Sequence, residues 1–281
     1  MMRLISLGDN SIDLYRNTGE KYPGGNAVNV AVHAAQMGVE AHYLGTLGSD
    51  DEAEMICRAM EHHHVDYSHC TKLPGKTTKV CVYDVQDGER SFIEVRTGET
   101  WAGPIRLTPG DLAYLDDSDV IISSCNAKIP EQLAEVEELS PVFVFDFGEK
   151  EKYRTQQYYD QVCHKIDLAM FSCTDMTEEK FARFCKPLHE RGVVHVLATV
   201  GAKGQFLSDG DIILRGKVDV VTPNDTMGAG DSFLAAFVCA LTDKGWRKGG
   251  RMGQDALSGA LKAGAETAAR NCMTKGAFVC E

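Results

Sequence analysis

No stretch of the 281-residue chain stays apolar long enough to cross a bilayer. The best run, Phe233 to Leu241, is about half of the ~18 residues that a spanning helix needs. The first residues, Met1-Met2-Arg3-Leu4-Ile5-Ser6, run straight into a strand-like stretch and lack the shape of a signal peptide. The expectation is a cytoplasmic protein with no membrane partner. Positive charge is scarce as well: 29 Lys and Arg stand against 41 Asp and Glu, a formal net charge of −12. That balance argues against nucleic acid and against an anionic membrane surface. A small anion would need local help from helix N-termini, a few basic side chains or a metal ion. Ten cysteines include no Cys-x-x-Cys pair and sit singly in settings such as Val80-Cys81-Val82, which reads as reduced core thiols. Two further absences narrow the chemistry. No Gly-x-x-x-x-Gly-Lys-[Ser/Thr] run occurs, which removes a P-loop kinase, and no Gly-x-Gly-x-x-Gly follows a strand, so a dinucleotide enzyme lacks support.

What is present is ordinary globular material, 43% hydrophobic and 25% charged, with 27 glycines and no repeat or Pro/Ser-rich linker. One domain over 1–281 is expected. Strand-like runs at Leu4–Leu7, His42–Leu44, Val120–Ser123, Val142–Phe145, Leu168–Phe171 and Val193–Thr199 alternate with helical stretches. The helical stretches include Ala27–Met37, Ala53–Met60, Pro130–Leu139 and Glu178–His189. Short apolar strands between amphipathic helices predict an α/β sandwich, a mostly parallel sheet covered on both faces. Two hairpins interrupt the alternation. The first, with an Asp87-Gly88 turn, occupies about 79–95 and with 13–22 forms a small β-layer outside the main sheet. The second pairs Gly204–Leu207 with Ile212–Arg215 around Asp209-Gly210. A β-lid that excludes water and plain edge hairpins are both open readings.

The strongest chemical signal is Asp225-Thr226-Met227-Gly228-Ala229-Gly230-Asp231, leading into the helical run Ser232–Phe237. Small residues ahead of a helix let the amides of Gly228, Ala229 and Gly230 converge on a phosphate or a developing oxyanion. A carboxylate beside such a hole, Asp231, suits proton removal from an attacking alcohol. The plainer alternative is a glycine-rich turn with Asp231 as a helix cap. Upstream, Gly24-Gly25-Asn26-Ala27-Val28-Asn29 opens a small-residue helix, and Gly8-Asp9-Asn10-Ser11-Ile12-Asp13 ends the first strand. Their polar side chains offer donors and acceptors to a polyol. Thr199-Val200-Gly201-Ala202-Lys203-Gly204 follows a strand and fits a nucleotide-phosphate loop or a simple turn.

Taken in order, the DTxGAGD run, the GGxxxN run, the TxGxxG loop and the closing Lys275-Gly276-Ala277 resemble the ribokinase-like, or PfkB, carbohydrate kinases over essentially the whole chain. The resemblance implies a three-layer α/β/α sandwich with a β-lid, ATP with Mg²⁺ as donor, and often a monovalent cation such as K⁺. It implies Asp231 as the base and Gly228, Ala229 and Gly230 as the anion hole. Asp13, Gly24, Gly25 and Asn29 would hold the sugar, while Thr199, Gly201, Lys203, Gly204, Asp225 and Thr226 would lie along the nucleotide. The family's Asn-x-x-Glu run near the metal is replaced by Ser172-Cys173-Thr174-Asp175, leaving Asp175 to act on Mg²⁺ through water. Three segments, Gly8–Tyr15, Pro23–Val32 and Phe145–Phe147, look most like fructoselysine 6-kinases. A fructosamine carries a cationic amine, and Asp9 supplies a second carboxylate beside Asp13; a local turn cap is the alternative for Asp9. Arg90 is placed to reach substrate from the lid, or to make a surface ion pair. The expected reaction is ATP-dependent phosphorylation of a primary hydroxyl, with fructoselysine ahead of fructose, ribose, ketodeoxygluconate or a nucleoside. A non-catalytic sugar or nucleotide sensor is the rival class. The sequence does not fix the oligomeric state, although an exposed β-lid offers an edge through which a homodimer could pair.

Overall fold

Residues alternate between the two faces of each buried strand, and the chain places an apolar side chain on both. Leu4, Val120, Ile122, Val142 and Val144 pack into one core, while Ile5, Ile121, Phe143 and Phe145 pack into another. Such strands are stable only with a layer of helices on each side. The computed structural model describes residues 1–86, 89–218 and 221–279.

The chain begins with β1 (Arg3–Leu7), β2 (Ser11–Tyr15), β3 (Glu20–Gly24), α1 (Asn26–Gln36), β4 (Glu40–Leu44), β5 (Thr46–Leu47) and α2 (Asp51–His62). It continues through β6 (Thr71–Lys72), β7 (Val80–Gln86), β8 (Glu89–Arg96), α3 (Pro109–Asp116), β9 (Val120–Ser124), α4 (Leu133–Glu137) and β10 (Val142–Asp146). The remainder is α5 (Gln156–Val162), β11 (Leu168–Ser172), α6 (Glu178–His189), β12 (His195–Thr199), β13 (Gln205–Ser208), β14 (Ile213–Gly216), α7 (Ala229–Asp243) and α8 (Gln254–Asn271). The main sheet has the order β14-β13-β12-β11-β10-β9-β1-β4, parallel from β4 to β12 and antiparallel beyond. Helices α1, α2, α7 and α8 contribute to the first core, and α3 to α6 to the second. This is the ribokinase-type α/β sandwich that the alternation and the motif order imply.

The two hairpins have different fates. Strands β7 and β8 join β2 and β3 in a separate four-stranded sheet, order β3-β2-β7-β8. The hairpin of β13 and β14 instead extends the main sheet through β12, so it is edge structure and not a second flap. The expected helix over Pro130–Leu139 is shorter, a 3₁₀ turn at Pro130–Gln132 followed by α4. The Asp87-Gly88 turn and the Arg90 side chain lie outside what is described. Among the described residues nine cysteines are free, and no helix is long and apolar enough to cross a membrane.

Candidate functional site

The carboxyl ends of β1 and β10, the start of α1 and the start of α7 meet at one end of the main sheet. In open α/β sheets this is where ligands bind. Gly228 precedes α7 with φ of 70°, and a Cβ there would stand 2.6 Å from the carbonyl oxygen of Ala277. Only glycine fits the turn and the close approach together. That turn starts the helix at Ala229 and puts Asp231 in its first turn, where the unpaired amides favour negative charge. The Ala229 amide reaches the Thr226 carbonyl at a long 3.4 Å, and the Ser232 amide is the one bonded back to Gly228, at 2.9 Å.

Both Asp231 oxygens are held by α1. Asn26 Nδ2 donates to Oδ1 at 2.7 Å, and Asn29 Nδ2 donates to Oδ2 at 2.6 Å. The Asn26 amide also donates to Asp146 Oδ2 at 3.0 Å, so one amide spans two carboxylates. Asp146, at the end of β10, is 8% exposed, and its other oxygen accepts the Gly148 amide at 2.8 Å. Burial, and after it the charge of Asp231, push the Asp146 carboxyl up to about 7. The oxygens Asn26 Oδ1 and Asn29 Oδ1 are buried without a hydrogen-bond partner. A carboxylate oriented in this way can take a proton from a hydroxyl placed beside it.

Asp13 approaches from β2. A Cβ on Gly24 would lie 2.5 Å from Asp13 Oδ2 and 3.8 Å from Asn29 Oδ1, so Asp13 and Asn29 flank the glycine that separates them. Gly25 is the N-cap residue of α1. The structure therefore brings together Asp13, Gly24, Gly25, Asn29, Gly228, Ala229, Gly230 and Asp231. Asn26 and Asp146 belong with them; both lie inside runs quoted above, Gly24–Asn29 and Phe145–Phe147, but the motifs give neither a role of its own in the site. A lone carboxylate closing the apolar strand Val142–Asp146 is the signal that could have found the second.

Four expected residues have other partners. Asp9 does not stand alone beside Asp13: it forms a buried ion pair with Lys79, at the base of the lid. Asp225 is 1% exposed and turned inward, where it accepts the amides of Met227 at 2.9 Å and Gly276 at 2.8 Å together with the Tyr15 hydroxyl. It ties the loop to the lid and to the segment around Gly276, and faces no open space. Asp175 is on the surface, paired with Lys180 at 2.6 Å. Among the described residues no cluster of three His, Cys, Asp or Glu side chains forms a metal cage. Lys203 points back to the Thr174 carbonyl at 3.4 Å. Thr199 ends β12, and Gly201–Lys203 form an exposed turn closed by hydrogen bonds between Val200 and Gly204 and between Lys203 and Val200. Thr226 contributes the carbonyl noted above.

Comparison with known proteins puts this geometry in context. The sequence pattern of the pfkB family carbohydrate kinases matches residues 1–281. A fructosamine kinase of Bacillus subtilis is 32% identical over 279 residues, covering 99% of this chain and 93% of the relative. A fructoselysine 6-kinase of Escherichia coli is 29% identical over 278 residues, covering 99% and 100%. Among solved structures, Arabidopsis thaliana ribokinase complexed with ribose and ATP superposes with a TM-score of 0.81 at 21% identity, covering 98% of this chain and 94% of that one. The chain belongs to the pfkB family of carbohydrate kinases and is a phosphotransferase acting on a sugar hydroxyl.

Proposed function

We propose that the protein transfers the γ-phosphoryl group of ATP to the primary hydroxyl of an aminated ketose, a fructosamine such as fructoselysine, to give its 6-phosphate. The observation that carries the reading is the Asp231 carboxylate fixed by Asn26 and Asn29 at the N-terminus of α7. A hydroxyl seated between Asp13, Asn29 and Asp231 gives its proton to Asp231 as its oxygen bonds to the γ-phosphorus. The bond from that phosphorus to ADP breaks in line with the new one. The main-chain amides of Gly228, Ala229 and Gly230 meet the charge that develops on the transferred group. The four-stranded sheet closes over the cleft and keeps water from competing. Thr199, Gly201 and Gly204 are assigned to the nucleotide through their main chain. Mg²⁺ has no cage of acidic side chains among the described residues. Mg²⁺ would arrive with the nucleotide and supply charge neutralisation for its phosphates, and none of the steps above depends on a protein ligand to it.

The fructosamine assignment draws on the two curated relatives, which align over 99% of this chain, whereas a ribokinase of Arabidopsis thaliana aligns over 80% at 25% identity. The test is ADP release by the purified protein with fructoselysine, fructose, ribose, ketodeoxygluconate and a nucleoside. Fructoselysine should give the highest kcat/KM. Preference for ribose or a nucleoside would refute the assignment, and no turnover on any of them would favour a sensor. The lid also supports a homodimer: β8 is an edge strand that exposes Phe92, Ile93 and Val95. Light scattering reporting a monomer at micromolar concentration would remove that assembly.

A further inference from the structure

Helix α1 carries a polar stripe through an otherwise small and aliphatic run, Asn26-Ala27-Val28-Asn29-Val30-Ala31-Val32-His33. Asn26, Asn29 and His33 are spaced three and four residues apart, so they share one face of the helix. The first two hold Asp231. His33, only 4% exposed, bonds elsewhere: its Nε2 donates to the carbonyl oxygen of Ala277 at 2.9 Å. A carbonyl only accepts, so Nε2 carries the proton, and Nδ1 lies 3.2 Å from the Gln36 side-chain amide. Burial, more than any neighbour, holds the pKa of the imidazole down to about 4, so the ring stays a neutral donor near neutrality.

The oxygen that His33 holds is the one against which the turn before α7 rests. A Cβ on Gly228 would stand 2.6 Å from that oxygen, 2.8 Å from the Ala277 Cα and 2.9 Å from its Cβ. Gly228 therefore sits directly on the Ala277 backbone, with no side chain between them to absorb a shift. The residues ahead of Ala277 are fastened to the same loop. The amides of Asn224 and Asp225 donate to the Cys272 carbonyl at 2.8 and 3.2 Å, and Asn271 Nδ2 donates to the Met227 carbonyl at 2.7 Å. The Gly276 amide donates to Asp225. Those bonds set the loop against residues 271–277, but not against α1. His33 is a link of the second kind, because it joins that segment to the helix whose first turn fixes Asp231. Asn26 and Asn29 fix the base, His33 fixes the floor of the turn, and one helix sets the distance between them.

We propose that His33 is a positioning residue for phosphoryl transfer, a donor that holds the Ala277 carbonyl beneath Gly228 and so registers the anion-hole amides against the Asp231 base. The inference rests on the anion-hole reading and deepens it with a residue that acts through Ala277 rather than on substrate. A displaced turn leaves the groups assigned to the sugar and to the nucleotide in place, so both still bind. What it loses is an alignment that matters only as the phosphoryl group crosses.

The experiment measures kcat and KM by ADP release, using the acceptor from the panel above with the highest kcat/KM. His33→Leu removes the donor and keeps the space filled; it should lower kcat by on the order of 10-fold with both KM values within about threefold. His33→Gln offers an amide N–H at a similar reach and should recover kcat to within about threefold of the parent. Val32→Ala, at a buried position of the same helix, controls for stability: it should lower the denaturation midpoint and leave kcat within about twofold. An unchanged kcat in His33→Leu, no recovery in His33→Gln, or an equal loss in Val32→Ala would each overturn the inference. If the His33 variants do not fold, hydrogen exchange of the parent decides. ADP with aluminium fluoride, a mimic of the transferring phosphoryl group, should slow the amides of 225–231 and 271–279 together. Slowing in the loop alone would overturn the role of His33, and slowing in neither would remove the anion hole with it. Gly230→Ala keeps the two ideas apart. Normal kinetics there removes the anion hole, whereas a crippled Gly230→Ala beside a normal His33→Leu removes His33 alone.

Discussion

On the acceptor side of the cleft, Asn26, Asn29, Asp146 and Asp231 hold one another through hydrogen bonds of 2.6 to 3.0 Å. On the side of Thr199 to Gly204 the chain presents an exposed main-chain turn, with Lys203 bonded back to a carbonyl and Asp175 occupied by Lys180. The first is a set of side chains ordered before any ligand arrives, so its precision comes from packing and costs no reorganisation during reaction. The second relies on backbone shape, which tolerates many side chains. If the proposed roles hold, changes in the acceptor half should cost more.

The largest effect falls on Asp231. Asp231→Ala should lower turnover by on the order of 10²–10⁴ while nucleotide affinity, followed by calorimetry, stays within a few-fold. Near wild-type turnover would break the comparison at its centre. The two glycines of the hole come next, and they should separate stability from catalysis. Gly228→Ala forces a side chain onto a φ of 70° against the Ala277 carbonyl, so denaturant unfolding should report a loss of about 1–3 kcal/mol. A Cβ on Gly230 meets only the tip of Met170, at 3.8 Å. Gly230→Ala should thus unfold like the parent yet lose about tenfold or more in turnover by crowding the phosphoryl group. Normal kinetics in that variant would make the loop purely structural.

A smaller effect involves Asp146. As pH falls through about 7 its carboxyl takes a proton, and the negative charge beside Asp231 is removed. The acid limb of kcat/KM should carry a several-fold inflection near neutrality, and Asp146→Asn should remove it. The linkage has a definite sign. The folded carboxyl is raised from 3.8, so the native state holds the proton more tightly, and the group's contribution to stability is lost as pH rises from about 4 to 7. Melting temperatures of parent and variant should shift in the variant's favour across that window; a constant difference would refute the assignment. The smallest effect belongs to the nucleotide side: Asp175→Ala should change kcat and the KM for ATP by less than about twofold, because it removes one exposed ion pair. A tenfold loss would show that acidic chemistry operates there after all.

Much of this was legible in the sequence, for reasons that differ from residue to residue. The alternation of apolar strands and amphipathic helices is local information, and α6 runs over Glu178–His189 as its pattern predicts. The seven residues from Asp225 to Asp231 are likewise contiguous, so the small residues and the helix start could be read together. The motif could not tell which way each carboxylate faces, and Asp225 turns inward while Asp231 meets α1. Contacts between distant segments were hidden altogether. Asn26 and Asp146 are 120 positions apart, and Asp9 and Lys79 are 70 apart; no spacing rule reaches so far. The hairpin around Asp209-Gly210 was recognisable as a hairpin, but the pattern of one strand pair does not say which sheet it will extend.

The inward-facing Asp225 has a consequence for biosynthesis. Its carboxylate binds Tyr15, 210 positions before it, and the Gly276 amide, 51 positions after it. A ribosome must have made Gly276 before that knot can be drawn tight, so a nascent chain that already holds every residue of the DTxGAGD run still lacks the fastening beneath it.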